Sequence, residues 1–178
     1  MICHDFEGFP EWGFLPYLAA LLAARGFVAI RPEIRGLADL LAVLDATGET
    51  IAPGRVDRRH LGLFGHGFGG GAAILAAAHS SWRDRVRAVV TWAAIADQDG
   101  LAAAAEVRAP WLIVQGAEEA AASPEAGRRL AELADGEREL RLIAGASHTF
   151  GSRHPFTGPT PQLIQALNAT QRWFRAHP

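Results

Sequence analysis

Phe64-Gly65-His66-Gly67-Phe68-Gly69-Gly70-Gly71 is the stretch on which the fold turns. It grows out of the run 59–64, which reads as a β-strand, and opens the alanine-rich run 69–79, which reads as a helix. A strand that passes into a helix through so many glycines must let the two elements approach closely. Two mechanisms ask for this. In a nucleophile elbow, Gly-x-Ser-x-Gly, flanking glycines crowd around a strained central residue whose side chain enters the site. Gly65 and Gly69 are then the flanks, and Gly67 stands where that chemistry needs a serine. In a dinucleotide fingerprint, Gly-x-Gly-x-x-Gly, the same turn would use Gly65, Gly67 and Gly70. That reading also needs a carboxylate closing the next strand, to hold a ribose hydroxyl. The next strand ends Val89-Val90-Thr91-Trp92, without one.

Outward from the turn, β-rich and helical runs alternate. Strands are expected at 26–31, 59–64, 86–92, 111–115 and 139–143, and helices at 12–25, 37–46, 69–79, 124–134 and 161–176. Ser123 followed by Pro124 is a helix start, a capping hydroxyl before a residue already set for the first turn. The strands read as apolar on both faces, which suits a mostly parallel sheet covered by helices on both sides. One α/β domain over residues 1–178 is expected, without repeats or a long linker. Only residues 1–3 precede the first helical run as strand, so most of a strand feeding that loop is expected to be missing.

Composition narrows the chemistry. All 17 basic residues are arginine, and the chain has no lysine. That excludes phosphate-binding loops built on lysine and Schiff-base cofactors such as pyridoxal phosphate. A net charge of -2 gives no footprint for nucleic acid or an anionic membrane. No apolar run spans a bilayer, and the start lacks the pattern of a signal peptide, so a cytoplasmic location is the default expectation. Cys3 is the single cysteine. The histidines are scattered, with no His-x-x-x-His pair, so neither a metal nor a cofactor is expected.

Further segments carry a resemblance. His4-Asp5-Phe6-Glu7-Gly8, Glu11-Trp12-Gly13-Phe14, the elbow, Val114-Gln115-Gly116-Ala117-Glu118-Glu119 and Gly145-Ala146-Ser147-His148-Thr149-Phe150 occur in this order. His154-Pro155-Phe156 and Gly158-Pro159-Thr160 continue it. Together they resemble the α/β-hydrolases of the dienelactone hydrolase and prolyl-oligopeptidase-like esterase type. The resemblance implies an α/β-hydrolase fold, here shortened at its N-terminus and without a cap insertion. It places the nucleophile at Gly67, the acid at Glu119 and the histidine at His148. It gives the oxyanion N–H groups to Phe68 and Phe6, with Asp97 as the alternative acid. A small acyl or ester ligand is implied.

The sequence departs from that pattern in one direction. Gly67 cannot form an acyl-enzyme, Asp5 replaces a glycine in the oxyanion loop, and Gln115 and Glu119 replace a histidine and an aspartate. Asp5 brings negative charge to a site meant to stabilise one. The expectation is a catalytically silent hydrolase relative. The alternative is a working hydrolase whose serine was engineered away or drifted, with His148 activating water directly. Loss of early strands leaves the strand after Gly26 as a sheet edge, where pairing into a homodimer is expected.

Overall fold

The computed structural model describes residues 1–5, 8–119 and 121–178. Among these, five strands form one parallel sheet in the order β1-β2-β3-β4-β5. They are β1 (Ile2–Cys3), β2 (Leu61–His66), β3 (Val86–Trp92), β4 (Trp111–Gly116) and β5 (Arg138–Ile143). The helices are α1 (Leu15–Ala23), α2 (Leu37–Ala46), α3 (Phe68–Ala78), α4 (Gln98–Ala104), α5 (Pro124–Leu133) and α6 (Pro161–Ala176).

Alternation of side chains along the strands divides the core in two. Phe64, Val90, Trp92, Leu112 and Val114 point to the face covered by α1 and α6. Leu63, Val89, Trp111 and Ile113 point to the face covered by α2, α3 and α5. Buried tryptophans find partners for their polar ends. Trp92 Nε1 donates to Thr170 Oγ1 at 2.9 Å, and Trp111 Nε1 donates to Thr91 Oγ1 at 3.0 Å. The sheet is therefore clamped from both sides, as the continuous apolar runs of β3 and β4 require. β5 is different: most of it is exposed or half-exposed, and it carries Arg138, Glu139 and Arg141 at the sheet edge. The expectation of apolar strands on both faces fails there, because an edge strand is kept soluble by charge.

Residues 26–31, expected as a strand, are not one. The run lies beside β1, where Ile2 N–H donates to the Ile30 carbonyl at 2.8 Å. A ladder needs a partner on that side, and β1 offers two residues. The expected strand at 59–64 lies two residues later, and the expected helix at 12–25 narrows to α1. The short helix α4 had no expectation.

This topology decides where a site forms. From β1 the chain crosses the α1 face toward the 27–30 edge, whereas from β2 it crosses the opposite face through α3 toward β3. Loops leaving the carboxyl ends of β1 and β2 diverge to opposite faces, and such a switch point opens a crevice. Asp5 follows β1 and Gly67 follows β2.

Candidate active site

Gly67 sits between β2 and α3 with φ 54° and ψ −119°. A residue with a Cβ is strained in that conformation, and glycine is not. The neighbouring glycines are set by contact. A Cβ on Gly69 would lie 2.6 Å from the Cys3 carbonyl oxygen and closer still to that of His4. A Cβ on Gly70 would lie 2.7 Å from the Ala94 Cβ. The glycine run lets α3 begin against the end of β1 and the end of β3.

A Cβ at residue 67 would meet Asp5. It would lie 2.6 Å from Asp5 Oδ2 and nearer to Cγ and Oδ1. The Asp5 carboxylate fills the volume that a side chain at the elbow would take. Its Oδ1 accepts the N–H of Phe68 at 2.8 Å. Its Oδ2 accepts Nε2–H of His148 at 2.7 Å. His4 orients this loop: Nδ1–H donates to the Asp5 carbonyl at 2.7 Å, and Nε2 accepts the Ile34 N–H at 3.2 Å.

Behind His148 stands Glu119, its side chain 1% exposed, with Oε2 3.2 Å from His148 Nδ1. The approach is ionic, since neither atom has a well-aligned hydrogen bond. The other oxygen, Oε1, accepts the N–H groups of Ala121 at 2.7 Å and Ala122 at 3.3 Å. Asp97, the alternative acid, is committed elsewhere: its carboxylate accepts Gly100 N–H at 2.9 Å and caps α4. The structure thus brings Asp5, Gly67, Phe68, Glu119 and His148 together and leaves Asp97 out. Phe6 lies outside the described residues.

His148 is held by its loop. Phe150, two residues on, is buried with φ 55°, and its carbonyl accepts Thr160 Oγ1–H at 2.6 Å. Thr160 in turn caps α6 by accepting Leu163 N–H at 3.1 Å. His66, 2% exposed, donates Nε2–H to the His148 carbonyl at 2.8 Å. The hydrogen bond to Asp5 raises the His148 pKa against the opposing effect of burial, with the Glu119 charge adding to the rise. Burial pushes His66 down to about 4, helped by His148. The Asp5 hydrogen bond and the Glu119 charge thus favour the imidazolium form of His148, while burial favours the neutral form of His66.

Sequence reasoning named Asp5 as a charge in the loop but did not place it at the centre of the site. His66, inside the elbow stretch, carries no role in that reading. Asp5, His66 and His148, scattered along the chain, have donor atoms within 4.8 Å of one another.

No protein-family model matches the sequence, and no curated protein matches it. Solved structures do match. Dienelactone hydrolase from Anabaena variabilis superposes with a TM-score of 0.75 at 20% identity, covering 99% of this chain and 84% of that one. Est1E from Butyrivibrio proteoclasticus, with ferulic acid bound, gives 0.76 at 16% identity, covering 99% and 87%. One of the metagenome-derived lipolytic enzymes LipS and LipT gives 0.79 at 17% identity, covering 99% and 92%.

The fold is that of the α/β-hydrolases. It extends through nearly the whole chain, and the structures sharing it include esterase- and lipase-like enzymes. Within the α/β-hydrolase fold the loops after β1, β2, β4 and β5 carry Asp5, Gly67, Glu119 and His148 in that order. No helix of the described residues is long and apolar enough to cross a membrane.

Proposed function

We propose that this domain is a relative of small-molecule acyl hydrolases whose serine-type chemistry is silent, its site closed by the chain's own carboxylate. One observation carries the reading: Asp5 lies where a side chain at residue 67 would project. Acyl transfer needs a nucleophile, a base with a free lone pair and a vacant oxyanion site. Gly67 supplies no nucleophile. The Nε2 of His148, which would take the proton, is paired with Asp5. The N–H of Phe68, which would hold the oxyanion, is taken by Asp5 Oδ1.

Charge makes the block stronger than loss of a nucleophile alone. Enzymes stripped of triad members keep roughly 10³–10⁴-fold catalysis over water through binding and the oxyanion hole. Here the hole faces a carboxylate, which repels the developing negative charge of a tetrahedral intermediate. The ligand class that fits is a small acyl or ester compound. An apolar cleft lined by Leu37, Phe68, Leu75 and Ile95 adjoins the elbow and suits its hydrocarbon part.

The test is hydrolysis of 4-nitrophenyl acetate by the purified chain and by His148→Ala. Both are expected to match the buffer background. Turnover by the unmodified chain that disappears in His148→Ala would overturn the reading.

A further inference from the structure

We infer that Asp5, His148 and His66 form a binding site for a divalent transition-metal ion, zinc being the best match, with Glu119 supporting His148 from behind. The inference builds on the reading that this site does not perform acyl transfer. It is tested separately, because zinc binding is read without any substrate.

The donors are the first argument. One carboxylate oxygen and one ring nitrogen from each histidine lie within 4.8 Å of one another. Imidazole with carboxylate is the donor set that zinc accepts, at about 2.0–2.2 Å from each atom. Three such donors leave a further position for water or a small ligand. The His66 carbonyl partner also fixes its tautomer. Because Nε2–H donates to the His148 carbonyl, the lone pair rests on Nδ1.

Glu119 is the second, independent argument. Its side chain is 1% exposed, and its Oε2 is buried without a hydrogen-bond partner while lying 3.2 Å from His148 Nδ1. A histidine that binds a metal through one nitrogen commonly presents the other to a carboxylate, which orients the ring and raises its basicity. A buried carboxylate aimed at the far nitrogen of His148 supplies that support.

Charge is the third argument. Asp5 and Glu119 bring two carboxylates to one imidazole. A proton on His148 answers one negative charge, whereas a divalent ion at Nε2 answers both. The ion would replace the proton now shared by Nε2 and Asp5 Oδ2. The 2.7 Å between these atoms must then widen by about 0.5 Å, since two ligands of a tetrahedral ion stand farther apart. The loop after β1 and the loop after β5 carry these groups, and neither belongs to a helix or strand.

Zinc(II) chloride titrated into chelator-treated protein, followed by calorimetry and a colorimetric zinc competitor, tests the site. One ion per chain is expected. Asp5→Asn and His148→Gln are each expected to abolish stoichiometric binding, with circular dichroism confirming that each folds. Glu119→Gln, which keeps shape and removes charge, is expected to weaken binding by about 10–100-fold. It serves as the deciding variant if either of the others unfolds. His177→Ala, which removes the exposed pair with Glu137, is expected to leave binding unchanged. No bound zinc in the unmodified chain would overturn the inference. So would binding that survives Asp5→Asn and His148→Gln, or that is lost with His177→Ala alone.

Discussion

The carboxylate of Asp5 and the missing side chain of Gly67 occupy one volume. A Cβ on residue 67 would sit 2.6 Å from Asp5 Oδ2 and closer to the rest of the carboxylate. Gly67→Ser alone is therefore expected to gain no esterase activity. The new side chain must expel Asp5, and residue 67 must bear a Cβ at φ 54°, together costing about 1–3 kcal/mol of stability. The double variant Asp5→Gly with Gly67→Ser frees both the space and the Phe68 N–H. It is expected to hydrolyse 4-nitrophenyl acetate measurably, and adding His148→Ala is expected to remove that gain. Initial rates and urea midpoints of the four proteins check this. A single Gly67→Ser variant as active as the double would show that Asp5 does not block the site.

The ion pair between Asp5 and His148 gives a pH dependence with a definite sign. The folded pKa of His148 is raised above its ordinary 6.5, first through the hydrogen bond to Asp5. Below about pH 6.5 the histidine is charged in folded and unfolded chains alike, and the pair contributes in full. As pH rises through the raised folded value, the proton leaves and that contribution is lost. Stability of the metal-free protein is expected to fall across this window above pH 6.5. Urea unfolding at stepped pH measures it. In Asp5→Asn the decline is expected to flatten, and an unchanged slope would assign it to another group.

Local signals read correctly from the sequence are those that neighbours in the chain decide. The helix bounds of α2 and α6, the strand β3 and the Ser123 cap depend on propensity and periodicity over a few residues. The 26–31 run has the composition of a strand, but a ladder depends on a partner elsewhere in the sheet. α4 is short and is capped by Asp97, whose carboxylate reads from the sequence as an alternative catalytic acid. Asp5 stood out as a substitution for glycine. Its meeting with residue 67 is a distance between two loops 62 positions apart, which no local pattern encodes. The one available hint was size compensation, a side chain gained in one loop and lost in the facing one. His66 and His148, 82 residues apart, are joined in the same way by the sheet order.

Thr160 ties the end of the histidine loop to α6. Its hydroxyl accepts Leu163 N–H and donates to the Phe150 carbonyl. Thr160→Ala removes a helix cap and leaves a buried carbonyl without that donor, for an expected cost of about 1–2 kcal/mol. Thr160→Ser keeps both bonds and is expected to cost a small fraction of that. Urea denaturation of the two variants separates hydroxyl from methyl. Equal losses would assign the effect to packing of the methyl group.

Close approach of α3 to the end of β1 sets the last expectation. A Cβ on Gly69 would press on the carbonyl oxygens of Cys3 and His4, backbone atoms that no rotamer change can move. Relief requires α3 or the Asp5 loop to shift, and overpacking of this kind costs about 1–3 kcal/mol. Gly36 has an extended backbone, with φ 166°, and nothing within 4 Å of an added Cβ. Gly36→Ala meets no neighbour and loses only the preference of an N-cap for glycine over alanine, so it is expected to cost at most about 1 kcal/mol. Gly69→Ala is expected to lower the urea midpoint clearly. It is also expected to speed alkylation of Cys3, because the carbonyl of that residue bears the added contact. In the parent, burial pushes the Cys3 thiol up to about 12, so iodoacetamide should react only as fast as the chain opens. Mass spectrometry of timed samples gives that rate. A Gly69→Ala protein as stable and as slowly alkylated as the parent would mean that α3 has room the elbow does not need.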